Sequence, residues 1–467
     1  MVAVLSAQAL SDSEIEQIHA ASLRVLAEVG VDVCHEAIRA QILRAGAREG
    51  ATNARVCLPA EMVAEALACC PSEFVLHSVR GDTYAMAPGN RFYSSCVVDP
   101  FMLDYRDGRR PPVLADCANN ARLVDALDLI TMPYKMDLDY ADAVGGTALL
   151  ESNLAFMSNM SKHYICAPYD AEAARAWMEM SEIMAGDDLK ARPIVSALIS
   201  PTSPLTFDSQ VLDIVSVLLP YGIPLILLPC PQAGATSPFT LAGTIVDFNA
   251  ENLAALTLIQ TLRPGTPLHY HTVAMGFDMR SGRASLGGPE KALCGLAAVD
   301  LGRFYNLSCG CAGTATNSVR YDLQNGAETM AQLLLAVASR ANLITGIGSI
   351  GNGMGTSAEQ ILFDCDLVAL ATYLQTGIRV DDERLAFDAF GRAGPGGDFL
   401  QDPSTLRFLR SGEHFYAGSF ETSGSPEPAH SMVETLHARV EQILARHQAH
   451  VPEVQADALR IYVEDKR

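Results

Sequence analysis

Two short spacings carry the most evident chemistry in this chain. In PLHYHTVAMGFDMRSG, which begins at Pro267, His269 and His271 stand one residue apart, and in NLSCGCAG the residues Cys309 and Cys311 repeat that spacing. Two imidazoles and two thiolates would satisfy zinc at tetrahedral geometry, as in a zinc-dependent hydrolase or methyltransferase. The same residues also have plainer readings. The histidines could be satisfied in a core or form the wall of a ligand cavity, and small thiols commonly fill cores. A third stretch, GIGSIGNGMG from Gly346, contains a literal G-x-G-x-x-G with Asp364 and Asp366 downstream, the outline of a dinucleotide site. Glycines so placed equally let backbone or a bulky ligand approach closely.

The elements that carry these residues decide among the readings. From Arg91 onward one pattern recurs: a short apolar or β-branched run, a turn rich in Gly, Pro, Ser or Asp, then a stretch of helical period. The runs are RFYSSCVV, DLITMPYK, KHYICAPY, RPIVSALIS, IPLILLPCP, TPLHYHTVA, NLSCGCAG and ANLITGIGS. Eight strand-helix units predict an α/β fold, a closed (β/α)8 TIM barrel, with an open doubly wound sheet as the alternative that periodicity leaves standing. The GIGSIG stretch falls last in this series, whereas a dinucleotide fingerprint opens its unit.

Outside the repeat, capping boxes at Ser11 to Glu14 or Ser13 to Glu16, and a helix opened by Pro59 and closed by Pro71, predict an N-terminal helical cap over residues 1–85. The barrel is expected over 86–380. A C-terminal helical extension is expected over 381–467, ending in the amphipathic SMVETLHARVEQILARHQ and packing on the barrel or on a second subunit of a homo-oligomer.

Composition removes several function classes. Acidic side chains outnumber basic ones by 54 to 33, for a net charge of -21, and no Lys/Arg run is present to neutralise a phosphate backbone, so nucleic-acid binding is disfavoured. The most apolar region, VLDIVSVLLPYGIPLILLPCP, is cut by Asp213, Pro220, Gly222 and Pro224, and reads as a helix followed by a buried strand, not a membrane span. The N-terminus lacks the basic start and apolar run of a signal peptide, and twelve cysteines in so long a chain read as reduced thiols. A cytoplasmic protein is expected.

In a barrel the reactive groups lie at the C-terminal ends of strands and in the following loops. That rule singles out residues 134–137, 168–169, Ser200, 231–232, 271–277, 311–313 and 349–353. Tyr93, Tyr134, Tyr169 and Phe277 could offer ring faces to an organic cation. Gly313, Gly348 and Gly351 are candidate points of close approach to a cofactor.

Longer stretches then resemble a known family. SPLTFDSQVLDIVSVLLPYGIPLILLPCPQAGATSPFTLAGTIVDFNAENLAALTLIQTLRPGTPL, FDMRSGRASLGGPEKAL, YDLQNGAETMAQLLLAVASRANLITGIG and SAEQILFDCDLV resemble the trimethylamine methyltransferase family of corrinoid-dependent methyltransferases, as do LSDSEIEQIHAASLRVLAEVGVDV and LDYRDGRRPPVLADCANNARLVDAL near the N-terminus. The resemblance implies a barrel that takes a methyl group from a methylated amine and passes it to cob(I)alamin on a small corrinoid protein, with no tightly bound metal of its own. Founding members carry pyrrolysine near the seventh barrel strand, whereas this chain reads NLSCGCAGTATNS there. Relatives without pyrrolysine include glycine betaine methyltransferases, so the resemblance implies a quaternary amine substrate, glycine betaine first. Its carboxylate would need donors, which His269, His271 or Arg280 could supply. The chain departs from the family at HYHT and at Asn317-Ser318-Val319, where Asp-Ser-Lys is commoner. Methyl transfer, a zinc enzyme and a non-catalytic quaternary-amine binding protein are thus the functions to compare.

Overall fold

The computed structural model describes residues 5–466 apart from 97–99, 137, 139, 144, 187, 417 and 422–429. All eight runs form strands of one parallel sheet: β1 (Phe92–Ser95), β2 (Tyr134–Met136), β3 (Tyr164–Ala167), β4 (Val195–Ile199), β5 (Leu225–Leu227), β6 (Leu268–Tyr270), β7 (Ser308–Ala312) and β8 (Leu343–Ile347). Each pairs with its neighbours in chain order, and β8 pairs with β1. A parallel bridge from Cys96 to Tyr134, with the Thr131 and Met132 N–H groups on Tyr93 O, closes β1 against β2. The sheet is a closed barrel, not an open one.

The outer ring is α1 (Leu114–Ala126), α2 (Ala148–Met157), α3 (Ala171–Ala185), α4 (Ser209–Leu218), α5 (Leu241–Leu262), α6 (Pro289–Phe304), α7 (Leu323–Ala338) and α8 (Ala358–Thr376). Asp170, Asp208, Thr240, Asp322 and Ser357 begin α3, α4, α5, α7 and α8, their side-chain oxygens accepting an otherwise orphaned backbone N–H. The opposite end of α1 is closed by Lys162. Its buried Nζ donates to the carbonyls of Val124, Leu127 and Ile130 at 2.8, 2.7 and 2.6 Å, and burial pushes its pKa down to about 8.

Helix α5 is covered on both sides, by the barrel within and by the N-terminal helices Asp12–Arg24, Glu36–Arg44 and Ala60–Cys69 without. Most of its polar residues are therefore buried, and several are bonded, although Asp247 Oδ2 and Asn252 Oδ1 have no hydrogen-bond partner. Asn249 Nδ2, for example, donates to Ser22 Oγ at 2.9 Å and to Tyr305 Oη at 3.0 Å. This burial is why α5 shows no polar face in the sequence.

The N-terminal region departs from a purely helical cap. It also contains the strands Val31–Val33, Arg48–Glu49 and Arg55–Cys57, and a hairpin of Phe74–His77 with Thr83–Met86. Leu76 and Met86 of that hairpin pack with Met132, Ile165, Ile226 and Leu343 in a separate apolar cluster. The hairpin plugs the N-terminal end of the barrel, so the interior can open only at the C-terminal end. After α8, the helix Met432–Arg446 lies on α8 and α1, and Glu453–Asp465 lies on α3 and α2.

Candidate active site

Alternation along each strand sorts side chains between the barrel lumen and the helix layer. Lys135, between Tyr134 and Met136, bonds Ser152 Oγ and Asn153 Oδ1 of α2, so it points outward and its two neighbours point inward. Tyr270 donates to Asn249 of α5 at 2.7 Å, which turns His269 and His271 into the lumen. Cys309 lies 3.7 Å from Val299 O of α6, and Cys311 lies beside Gly295 of the same helix, so both thiols face outward and Ser308, Gly310 and Ala312 face in. The barrel wall thus separates the two halves of the zinc constellation. Among the described residues no group of three or more His, Cys, Asp or Glu side chains is arranged to hold a metal.

The lower lumen is closed and neutral. His163 Nε2 lies 2.8 Å from Ser196 Oγ, and His269 Nδ1 lies 2.8 Å from Ser308 Oγ. Burial pushes His163 down to about 4 and His269 well below its ordinary value. His269 Nε2 and Ser94 Oγ are buried here without a hydrogen-bond partner. Buried polar atoms are normally paired, so these two mark places where a water or a polar ligand group belongs.

The upper lumen is open. Leu198 is partly accessible although Ala197 and Ile199 beside it are buried, and Ser200 is partly accessible between buried Ile199 and Pro201. The same alternation recurs at Leu228 and Cys230 on the end of β5, and at Ala312 on β7. Tyr134, Met136, Ala167 and Thr345 complete an accessible layer on β2, β3 and β8. Solvent therefore reaches inward-facing positions on β2, β3, β4, β5, β7 and β8 while the outward-facing positions between them are shut off. No described side chain of this layer carries a charge; Asp137, singled out by position at the end of β2, lies outside the described residues.

His271 faces the lumen beside this layer as a fully buried, fixed and neutral ring. Its Nδ1 lies 3.0 Å from Thr272 O, and a carbonyl only accepts, so Nδ1 carries the hydrogen. Nε2 is then the acceptor for the Thr345 hydroxyl at 3.3 Å. Burial pushes its pKa down to about 3. Both nitrogens being occupied, His271 has no donor left for a substrate carboxylate. Asn252 Nδ2 donates to His271 O at 3.0 Å, and Thr272 Oγ1 to Pro229 O at 2.9 Å, which ties the ends of β5 and β6 together.

The other singled-out residues scatter. Tyr93 is buried in the main core, apart from the cluster that holds neighbouring Phe92. Tyr169 is exposed where α3 begins. Phe277 is half-buried on the strand Met275–Asp278, which pairs with Arg283–Ser285, and Arg280 is exposed in the turn between them. A Cβ on Gly313 would meet Ile344 Cγ2 at 2.3 Å, one on Gly348 would meet Ile361 Cγ1 at 2.4 Å, and one on Gly351 would meet Phe101 Cζ at 2.7 Å. Each therefore allows close packing against another part of the chain. Asp364, the acid that a dinucleotide site would turn to a ribose, accepts the Gly348 N–H at 2.8 Å, and Asp366 pairs with Arg439 at 2.8 Å. The Gly-rich loop is anchored by that acid, which argues against the nucleotide reading. Met136 falls in the singled-out 134–137, whereas Leu198, Leu228 and Thr345 were not singled out from sequence, because an inward residue of a parallel strand covered on both faces is indistinguishable there from an outward one.

A lumen whose described side chains are neutral and partly apolar, open at one end of a (β/α)8 barrel, defines an enzyme of the barrel class with a site for a small organic molecule. The whole of residues 3–467 matches the family model described as trimethylamine methyltransferase (MTTB), and the chain belongs to that family of methyltransferases. It is 29% identical over 453 residues to a glycine betaine methyltransferase of Desulfitobacterium hafniense, covering 94% of this chain and 92% of the relative. It is 28% identical over 463 residues to the trimethylamine methyltransferase MttB of Methanosarcina barkeri, covering 96% and 92%. Among solved structures, the monomethylamine methyltransferase MtmB of M. barkeri has the same fold, at a TM-score of 0.55 and 11% identity over 98% of this chain and 88% of that one.

Proposed function

We propose that this enzyme transfers a methyl group from a quaternary amine, glycine betaine first among them, to cob(I)alamin carried by a separate corrinoid protein. The observation that carries the reading is the accessible lumen layer, in which Tyr134, Met136, Leu198 and Leu228 surround a space where no described side chain carries a charge. A quaternary ammonium has no N–H to satisfy, and its diffuse charge is accommodated by an aromatic face at about 0.5–2 kcal/mol. A primary or secondary ammonium would need acceptors or a carboxylate there.

The chemistry asks little of the protein in protons. The C–N bonding electrons stay with nitrogen, the product is a neutral tertiary amine, and no general acid is needed. What the chain supplies is orientation and exclusion of water around the cation. The corrinoid, when its carrier sits over the mouth, supplies the cobalt nucleophile. The rim suits such a carrier: Phe239, Met279 and Met354, on the loops after β5, β6 and β8, and Leu323 at the start of α7 are all at least half exposed.

The lower lumen offers a place for the other end of a zwitterion. His269, with Nε2 unpartnered, takes the role of carboxylate donor that the occupied ring of His271 cannot fill. Arg280 remains at the exposed rim. Mixing the enzyme with cob(I)alamin and a panel of methylated amines, and following methylcobalamin by absorbance, tests the proposal. Turnover confined to quaternary amines supports it, and ligand binding without methylcobalamin would make the chain a binding protein.

A further inference from the structure

Helix α5 buries two carboxylates, Asp247 and Glu251, in the half of the helix nearer the mouth. Their spacing of four residues puts them on one face, one turn apart. Glu251 is held by the loop after β4: Oε2 accepts from Ser203 Oγ at 2.9 Å and Oε1 from the Leu205 N–H at 2.8 Å. Asp247 Oδ2 has no partner. Among the described residues no lysine, arginine or histidine forms an ion pair with either acid.

The pair lies directly behind the lumen wall. Ser200 and Cys230, the inward-facing residues just after β4 and β5, lie against each other, and the charge of Glu251 adds to burial in pushing the Cys230 thiol up to about 12. Burial raises Asp247 to about 7, and burial with Asp247 beside it raises Glu251 to about 8. Buried acids ordinarily carry a base or a full set of donors. Asp364 has its donors, the Gly348 N–H at 2.8 Å and Gln360 Nε2 at 2.7 Å. Anchoring the loop accounts for Glu251 in the same way, but nothing in the fold accounts for the open oxygen of Asp247.

We propose that Asp247 and Glu251 set the enzyme's preference for a cation, acting through the wall at Ser200 and Cys230 on a quaternary ammonium in the lumen. This rests on the reading of the substrate as a quaternary amine. The described lumen side chains supply no countercharge to such a group, and an acid pair without a base is the countercharge the fold provides. Its place behind the wall matters: a carboxylate inside the lumen would accept hydrogen bonds from primary and secondary ammonium ions, whereas one behind the wall attracts positive charge and offers no acceptor. In a poorly polar wall that attraction is weakly screened. The positive charge leaves the nitrogen as the methyl group departs, so the pair holds the substrate more than the transition state. Asp247 and Glu251 are thus specificity-determining residues that touch neither substrate nor cofactor.

Titration calorimetry at pH 9 tests this, since the pair is ionised there while the buried groups facing the same wall, Lys291 at about 7, His271 at about 3 and Cys230 at about 12, are uncharged. The ligands are glycine betaine and 3,3-dimethylbutanoate, which share a shape and a carboxylate and differ by the charge on the central atom. Asp247→Asn and Glu251→Gln, which preserve size, should each weaken glycine betaine by roughly five- to tenfold and leave the isostere within about twofold. In steady-state kinetics each should raise KM for glycine betaine by a similar factor without lowering kcat. The two variants are read independently, so one that does not fold leaves the other to decide. If the wild type binds glycine betaine and a folded variant loses both ligands alike, or loses neither, the assignment of the pair falls and the substrate reading stands. A wild type that binds no quaternary amine overturns the substrate reading and the assignment with it.

Discussion

A Cβ placed on Gly310 would lie 2.7 Å from Nε2 of His269, so the seventh strand must carry glycine where the histidines of the sixth face into the lumen. The same atom would lie 2.9 Å from His271 Cδ2 and 2.3 Å from Leu343 O, a backbone group that cannot turn aside. Gly310→Ala should therefore cost about 1–3 kcal/mol of stability through overpacking. Urea unfolding of the purified variant reads that cost directly, and an unchanged midpoint would show that the wall yields.

The two histidines should separate in their effect on specificity. With both ring nitrogens of His271 occupied and Nε2 of His269 free, His269→Phe should raise KM for glycine betaine at least tenfold while changing KM for a quaternary amine without a carboxylate much less. Steady-state kinetics on the pair of substrates decides it. Equal loss on both would make His269 structural.

Tyr134 is the aromatic ring that lies in the accessible layer, whereas Tyr93 belongs to the core. Tyr134→Ala should weaken binding of quaternary cations by about 0.5–2 kcal/mol, the range of a cation–π contact. The comparison is isothermal titration of wild type and variant with glycine betaine and with its uncharged tert-butyl isostere. Only the cation should lose affinity.

Burial moves the interior groups in opposite directions. His163 and His271 are held at about 4 and about 3, below the unfolded value near 6.5, so their contribution to stability is present above about pH 6.5 and is lost as pH falls toward 4. Asp364 is raised by burial to about 7, so its contribution is present at low pH and is lost as pH rises from about 4 to 7. The two effects offset each other in the wild type. Asp364→Asn removes one of them, and between pH 6.5 and 4.5 its stability should fall more steeply than that of the wild type, by about 1.4 kcal/mol per pH unit. Parallel unfolding curves would contradict the assignment.

The barrel was legible because each βα unit announces itself: ANLITGIGS or KHYICAPY, short and apolar between turn residues, has few other structures open to it. The site was less legible. His269 and Cys309 look equally available in the sequence, and the register between neighbouring strands puts one inside and the other behind α6. Leu198 and Leu228 carry no local signal of facing a lumen. The hairpin that seals the barrel was hidden as well, its strands being four residues each. The family resemblance named the reaction, and the geometry shows which side chains face the lumen.

The most direct test of the central claim is a stoichiometric one: enzyme, cob(I)alamin and glycine betaine in a single anaerobic mixture, with methylcobalamin followed by absorbance and dimethylglycine by mass. The account predicts that the two products appear one for one, and that neither forms when dimethylglycine replaces glycine betaine. Loss of cob(I)alamin with dimethylglycine or trimethylamine, and none with any quaternary amine, would contradict it.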